Sequence, residues 1–137
     1  MRVCVDTSSL WKKYVEDDHS DLLAQHLNEA DEVVVSPVTF LELTAVLTRQ
    51  VYQKEISQSA ADLLAREIAI DFDYFSVIEF NDNLCECGMK LLNKYQLKTL
   101  DTIQLASAVL SESGIFITSD LKLGKIAARE IKKVAIV

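Results

Sequence analysis

The sequence predicts an α/β fold: a mostly parallel sheet of about five strands with helices on both faces. Three observations carry this expectation. Short β-type apolar runs alternate with helical patterns from one end of the chain to the other. About five strands and six or seven helices fill the 137 residues, leaving no repeat, low-complexity run or linker. Half the residues are hydrophobic, with only three Gly and one Pro, so every part can join a packed structure. Parallel strands joined through helices require right-handed crossovers, which cover both faces of the sheet.

The elements follow in order. Residues 2–6 are the first expected strand, around Val3-Cys4-Val5, and helical segments follow at about 8–17 and 19–30. Glu32-Val33-Val34-Val35 is the second strand, ended by Ser36-Pro37. Pro at the first helical position after a Ser cap starts a helix over about 37–52. Ser57 caps a helix over about 57–71, with Ala60, Leu63, Leu64 and Ile68 as its apolar stripe. Residues 74–79 are the third strand, and Asn81 or Asp82 caps a helix running to about 95. A helix over 101–112 with Gly114 as its C-cap, a strand at 115–118, a helix over 120–129 and a strand at 133–137 complete the chain. Residues 1–137 are expected to form one domain, long enough to bury roughly two-thirds of the unfolded surface.

Several classes are disfavoured. No apolar stretch approaches the ~20 residues that span a bilayer, and the N-terminus carries an early charge, unlike a signal peptide. Three cysteines give no disulfide framework, and Cys85-Glu86-Cys87 without a second pair is a weak zinc signal. A reducing cytoplasm is the compartment expected. A net charge of −7 argues against a general nucleic-acid coat but not against an enzyme acting on nucleic acid. Lys12, Lys13, Arg49, Lys54, Lys98, Lys122, Lys125 and Arg129 remain for phosphate contacts. His19 and His26 are read as solvated, and no Gly-rich phosphate loop occurs.

Four acidic residues carry the functional signal: Asp6, Glu42, Asp101 and Asp120. Each lies where an apolar strand ends or a helix begins. In an open parallel sheet, ligands collect at the carboxyl ends of the strands, where strand order reverses. Carboxylates gathered there repel one another unless a divalent cation holds them. Helix capping competes as an explanation for Asp6, Asp101 and Asp120; Asp101 even has Gln104 at capping-box spacing. Glu42 is different. With Ser36 as cap it falls in the second helical turn, on a face with Val38, Ala45 and Val46. A carboxylate there has to be paired, protonated or bound to a cation.

Four segments in order carry a family resemblance: Val5-Asp6-Thr7-Ser8-Ser9-Leu10, Ser36-Pro37-Val38-Thr39-Phe40-Leu41-Glu42-Leu43, Leu100-Asp101-Thr102-Ile103-Gln104-Leu105-Ala106-Ser107-Ala108, and Ile117-Thr118-Ser119-Asp120-Leu121-Lys122-Leu123. With them the chain resembles PIN domains, in particular the VapC-like ribonuclease toxins of type II toxin–antitoxin pairs. Arg49 also fits a basic position common in that family.

The resemblance implies a three-layer α/β/α sandwich and a metal-dependent endoribonuclease. Asp6, Glu42, Asp101 and Asp120 would hold one or two Mg²⁺ or Mn²⁺ ions, with Ser8 and Thr118 supporting them by hydrogen bonds. The resemblance further implies an RNA substrate, a cognate antitoxin protein and a homodimer. A PIN-like scaffold with little nuclease activity is the alternative. A haloacid-dehalogenase-type phosphatase wants a second Asp two residues after the first, where this chain has Ser8.

Overall fold

A computed structural model describes residues 1–15 and 17–137. Five strands form one sheet: β1 (Arg2–Val5), β2 (Glu32–Val35), β3 (Ser76–Val77), β4 (Ile115–Thr118) and β5 (Lys133–Ile136). All pairings are parallel and the spatial order is β3-β2-β1-β4-β5. Seven α-helices are described: α1 (Thr7–Leu10), α2 (Ser20–Glu29), α3 (Thr39–Tyr52), α4 (Gln58–Phe72), α5 (Asp82–Lys94), α6 (Thr99–Leu110) and α7 (Leu121–Ala127). The central strands are apolar on both sides, and their period-2 alternation sorts side chains into two cores. Val3, Val5, Ile115 and Ile117 face one core with Leu23, Leu43, Leu47, Ala61 and Ile68, which places α2, α3 and α4 there. Cys4, Val34 and Phe116 face the other with Leu84, Leu91, Leu105, Leu123 and Ala127, from α5, α6 and α7. Two helical layers thus sandwich the sheet.

Strand order reverses at β1: the chain moves to β2 and β3 on one side and later to β4 and β5 on the other. The chain therefore leaves β1 toward one helical layer and β4 toward the other, and a crevice opens between these two connections at the carboxyl edge. Loop residues 6, 36–38 and 119–120 open onto that edge. So does the amino end of α6, because this helix must descend before β4 can rise.

Several local expectations are corrected. The first helix is four residues followed by a 3₁₀ turn at Trp11–Lys13, and its predicted passage through residue 16 lies outside the described residues. α3 starts at Thr39, since the Ser36 side chain accepts from the Val38 amide and holds Pro37-Val38 in a turn. Glu42 therefore lies in the first turn of α3, and the buried face is Thr39, Leu43 and Leu47, with Ala45 exposed. On α4, Leu63 is 65% exposed and Ala61 lies inward instead, a shift of the stripe by part of a turn. β3 shrinks to two residues at the sheet edge. After α6 the left-handed residue is Glu112 (φ 53°), not Gly114, so Gly114 is no C-cap.

Candidate active site

Asp6 leaves β1 and caps α1 by accepting from the Ser9 amide at 3.0 Å. The same oxygen accepts from Ser8 Oγ at 2.8 Å, while Oδ2 accepts from Thr118 Oγ1 at the end of β4. Thr118 in turn accepts from the Asp120 amide at 3.0 Å. The neighbouring strands β1 and β4 are thus tied together at the switch point through one carboxylate. Asp6 is 4% exposed. Burial raises its pKa, and the hydrogen bonds from Thr118, Ser9 and Ser8 oppose that rise.

Asp120 caps α7, with Oδ1 accepting from the amides of Lys122 and Leu123. For Asp6 and Asp120 the capping explanation therefore holds, but it consumes only part of each carboxylate. Gly124 lets α7 approach the sheet: a Cβ there would lie 2.5 Å from Ile136 Cδ1 and 3.4 Å from Thr118 Cγ2.

Asp101 is not a cap. Lys98 holds the N-cap position of α6 and Asp101 lies in its first turn. Among the described residues no hydrogen-bond donor reaches its carboxylate. Its pKa is raised, first by desolvation and then by the charges of Asp120 and Glu42, while Lys98 and Lys122 counteract. Glu42, in the first turn of α3, uses Oε1 to accept from Thr7 Oγ1 at 2.7 Å and from Gln104 Nε2 at 2.6 Å.

All four carboxylates line one cavity of about 110 Å³, together with Thr7, Ser8 and Gln104. Elements following β1, β2 and β4 and the amino end of α6 each contribute to it. Thr7 and Gln104 are the site residues that sequence reasoning passed over. Gln104 stands at capping-box spacing from Asp101, but it reaches across to Glu42 instead. The available signal was a large polar residue inside the otherwise apolar Ile103-Leu105-Ala106 segment.

The cavity adjoins a second one of about 160 Å³, lined by Asp101, Asp120, Lys98 and Lys122, and a third of about 410 Å³ beyond the two lysines. Lys98 and Lys122 thus stand at one exit of the acidic cleft. Lys12 and Lys13 line a different cavity with Asp17, Asp18 and Asp21, and are paired with Asp17 and Asp71 respectively. The basic residues counted from the sequence do not all share one face.

Among the described residues no three acidic, His or Cys side chains converge closely enough to enclose an ion at once. The donor set still fits a hydrated hard cation. It is all oxygen, and among the described residues Glu42 Oε2, Asp120 Oδ2 and both Asp101 oxygens accept no hydrogen bond. Mg²⁺ keeps several of its waters, so it does not need three direct side-chain contacts. The cavity's volume is roughly that of four waters at ~30 Å³ each.

Comparison with known proteins agrees with this architecture. The sequence model of the family described as "PIN domain" matches residues 3–129. No curated protein matches the sequence. The fold is similar to VapBC2 from Rickettsia felis, solved with a promoter DNA fragment, at TM-score 0.74 and 12% identity, covering 100% of this chain and 99% of that one. VapBC-1 from nontypeable Haemophilus influenzae gives TM-score 0.72 and 18% identity over 97% and 96%. VapC20 from Mycobacterium tuberculosis, described as a Sarcin-Ricin loop cleaving toxin, gives 0.68 and 18% over 95% and 97%. At these identities the likeness concerns the fold.

Proposed function

The chain belongs to the PIN domain family, and from that premise we propose that it is a metal-dependent endoribonuclease, the toxin of a toxin–antitoxin pair. The observation that carries the reading is the convergence of Asp6, Glu42, Asp101 and Asp120 on one cavity at the sheet's switch point, with no basic side chain ion-paired to any of them among the described residues. Asp6, Glu42, Asp101 and Asp120 would hold Mg²⁺ or Mn²⁺, with Ser8 and Thr118 in support. When bound, such a cation supplies charge neutralisation at the scissile phosphate and lowers the pKa of an adjacent water.

The chain's own groups do the rest. Asp6, held by three donors, gives a fixed anionic floor to the cleft. Asp101 and Asp120 line the same cavity with carboxylate oxygens that accept no hydrogen bond among the described residues. Glu42 has one oxygen fixed by Thr7 and Gln104; the other is available to orient the attacking water and take its proton. Lys98 and Lys122 balance the charge of RNA phosphates flanking the cut, which an acidic protein otherwise repels.

The partner reading has its own support. Leu41, Leu100 and Leu121 are 72%, 49% and 65% exposed, and each is the sequence neighbour of Glu42, Asp101 or Asp120. These exposed apolar side chains, next in sequence to the acidic positions, suit a cognate antitoxin or the second subunit of a homodimer. Among the described residues no helix is long and apolar enough to cross a membrane, and we assign the protein to the cytoplasm.

The test is cleavage of a structured RNA pool with added Mg²⁺ or Mn²⁺, beside an Asp101→Asn control. Metal-dependent cleavage lost in the control supports the nuclease. A folded protein that binds neither metal nor RNA, yet forms a stable metal-independent complex with a partner, supports the scaffold alternative.

A further inference from the structure

We infer that Gln104, with Thr7, is a positioning residue that fixes the Glu42 carboxylate for the reaction; this rests on the nuclease reading above. Gln104 is 3% exposed on the inner face of α6, among Leu105, Ala106 and Ala108. A buried amide is costly unless every donor and acceptor is met. Here all are met. Nε2 donates to Glu42 Oε1 at 2.6 Å and to Thr7 Oγ1 at 2.9 Å, and Oε1 lies 3.4 Å from the Thr39 hydroxyl. Thr7 Oγ1 in turn donates to the same Glu42 oxygen at 2.7 Å. A carboxylate only accepts, so the amide nitrogen must face Glu42 and the amide orientation is fixed by the network.

The shape of this network separates positioning from simple core polarity. A purely structural network closes on itself, and part of this one does: Ser36 Oγ and Thr39 Oγ1 are 2.9 Å apart and both fully buried. The other branch ends on one oxygen of the half-buried Glu42 carboxylate, which lines the acidic cavity and whose second oxygen meets no donor among the described residues. Three elements meet there: α1 through Thr7, α3 through Glu42 and α6 through Gln104. Two converging donors hold the Glu42 oxygen in one geometry and strengthen each other in a buried setting. Outer residues that orient acidic ligands in this way typically alter metal affinity or rate ~10–100-fold.

A double-substitution cycle tests the inference. Mn²⁺ affinity is measured calorimetrically for the full chain and for Gln104→Met, Glu42→Gln and the double variant, together with kcat and KM on a cleaved RNA and the metal-free melting temperature of each. The expected result is ~10-fold weaker Mn²⁺ binding and lower kcat at unchanged KM for Gln104→Met. In the Glu42→Gln background the same substitution should add almost nothing. Additive losses that follow the drop in melting temperature would overturn the inference, as would a Gln104→Met protein that behaves like wild type. If Gln104→Met does not fold, Thr7→Val enters the same cycle with the same expectation. Wild-type protein that neither binds Mn²⁺ nor cuts RNA refutes the nuclease reading itself, and this inference with it.

Discussion

The two ends of the sheet treat their charges in opposite ways. At the amino edge, Arg2 donates to Glu32 from the neighbouring strand, Ser76 donates to the same carboxylate, and the N-terminal amine pairs with Asp31. Arg2 also donates to the Ser111 carbonyl, fastening the turn before β4. These contacts hold the Glu32 pKa below its ordinary range, led by the Ser76 hydrogen bond. At the carboxyl edge, four carboxylates share a cavity without an ion-paired partner among the described residues, and Asp6 and Asp101 are pushed upward. One edge uses charge to fasten strands together; the other accumulates charge of one sign. The proposed function assigns the active site to the edge that carries the cost of that accumulation.

The largest test of this contrast is loss of activity at one edge only. Asp101→Asn is expected to lower metal-dependent RNA cleavage by at least ~100-fold. It should also raise the melting temperature of the metal-free protein by roughly 2 °C, since Asp101 accepts no hydrogen bond among the described residues and its loss relieves repulsion screened by solvent. Calorimetric melting beside a cleavage assay checks both. A smaller effect is expected from Lys98→Ala and Lys122→Ala: each raises KM by about 3–10-fold near 0.1 M salt, with a weaker salt dependence than wild type and little change in kcat.

The two edges also carry opposite pH signatures. Asp6 and Asp101 bind protons more tightly folded than unfolded, so their contribution is fully present below the ordinary Asp pKa of about 3.9. It is lost as pH rises through their raised values. Glu32 has the reverse sign: its contribution is present above about 4.3 and lost as pH falls. Metal-free melting curves should therefore lose stability as pH rises from the ordinary Asp range, with Asp6 the main source, and millimolar Mn²⁺ should cancel that loss. The smallest effect belongs to the amino edge. Arg2→Ala should lower the melting temperature by a few degrees at most and leave cleavage untouched.

Much of this contrast was legible in the sequence. Val3-Cys4-Val5 and Ile115-Phe116-Ile117 marked the central strands because burial on both faces leaves no polar position. The four acidic positions were found from their place at element boundaries, which a parallel sheet converts into proximity. What escaped was set by tertiary packing. The start of α3 depended on the Ser36 side chain holding the turn at Pro37 and Val38, a contact that a Ser-Pro pair does not announce. Leu63 turned outward because α4 packs through Ala61 and Ile68. Gln104 matched a capping box in spacing, but its partner lay on another helix, 62 residues away. Sequence spacing cannot separate those two uses of one amide.

The most direct measurement is a crystal of the full chain soaked in Mn²⁺ and examined by anomalous diffraction. A cation site at the switch point gives an anomalous peak among Asp6, Glu42, Asp101 and Asp120, absent in Asp101→Asn. No peak there, or a peak confined to the other acidic cavity at Asp17, Asp18 and Asp21, would contradict it.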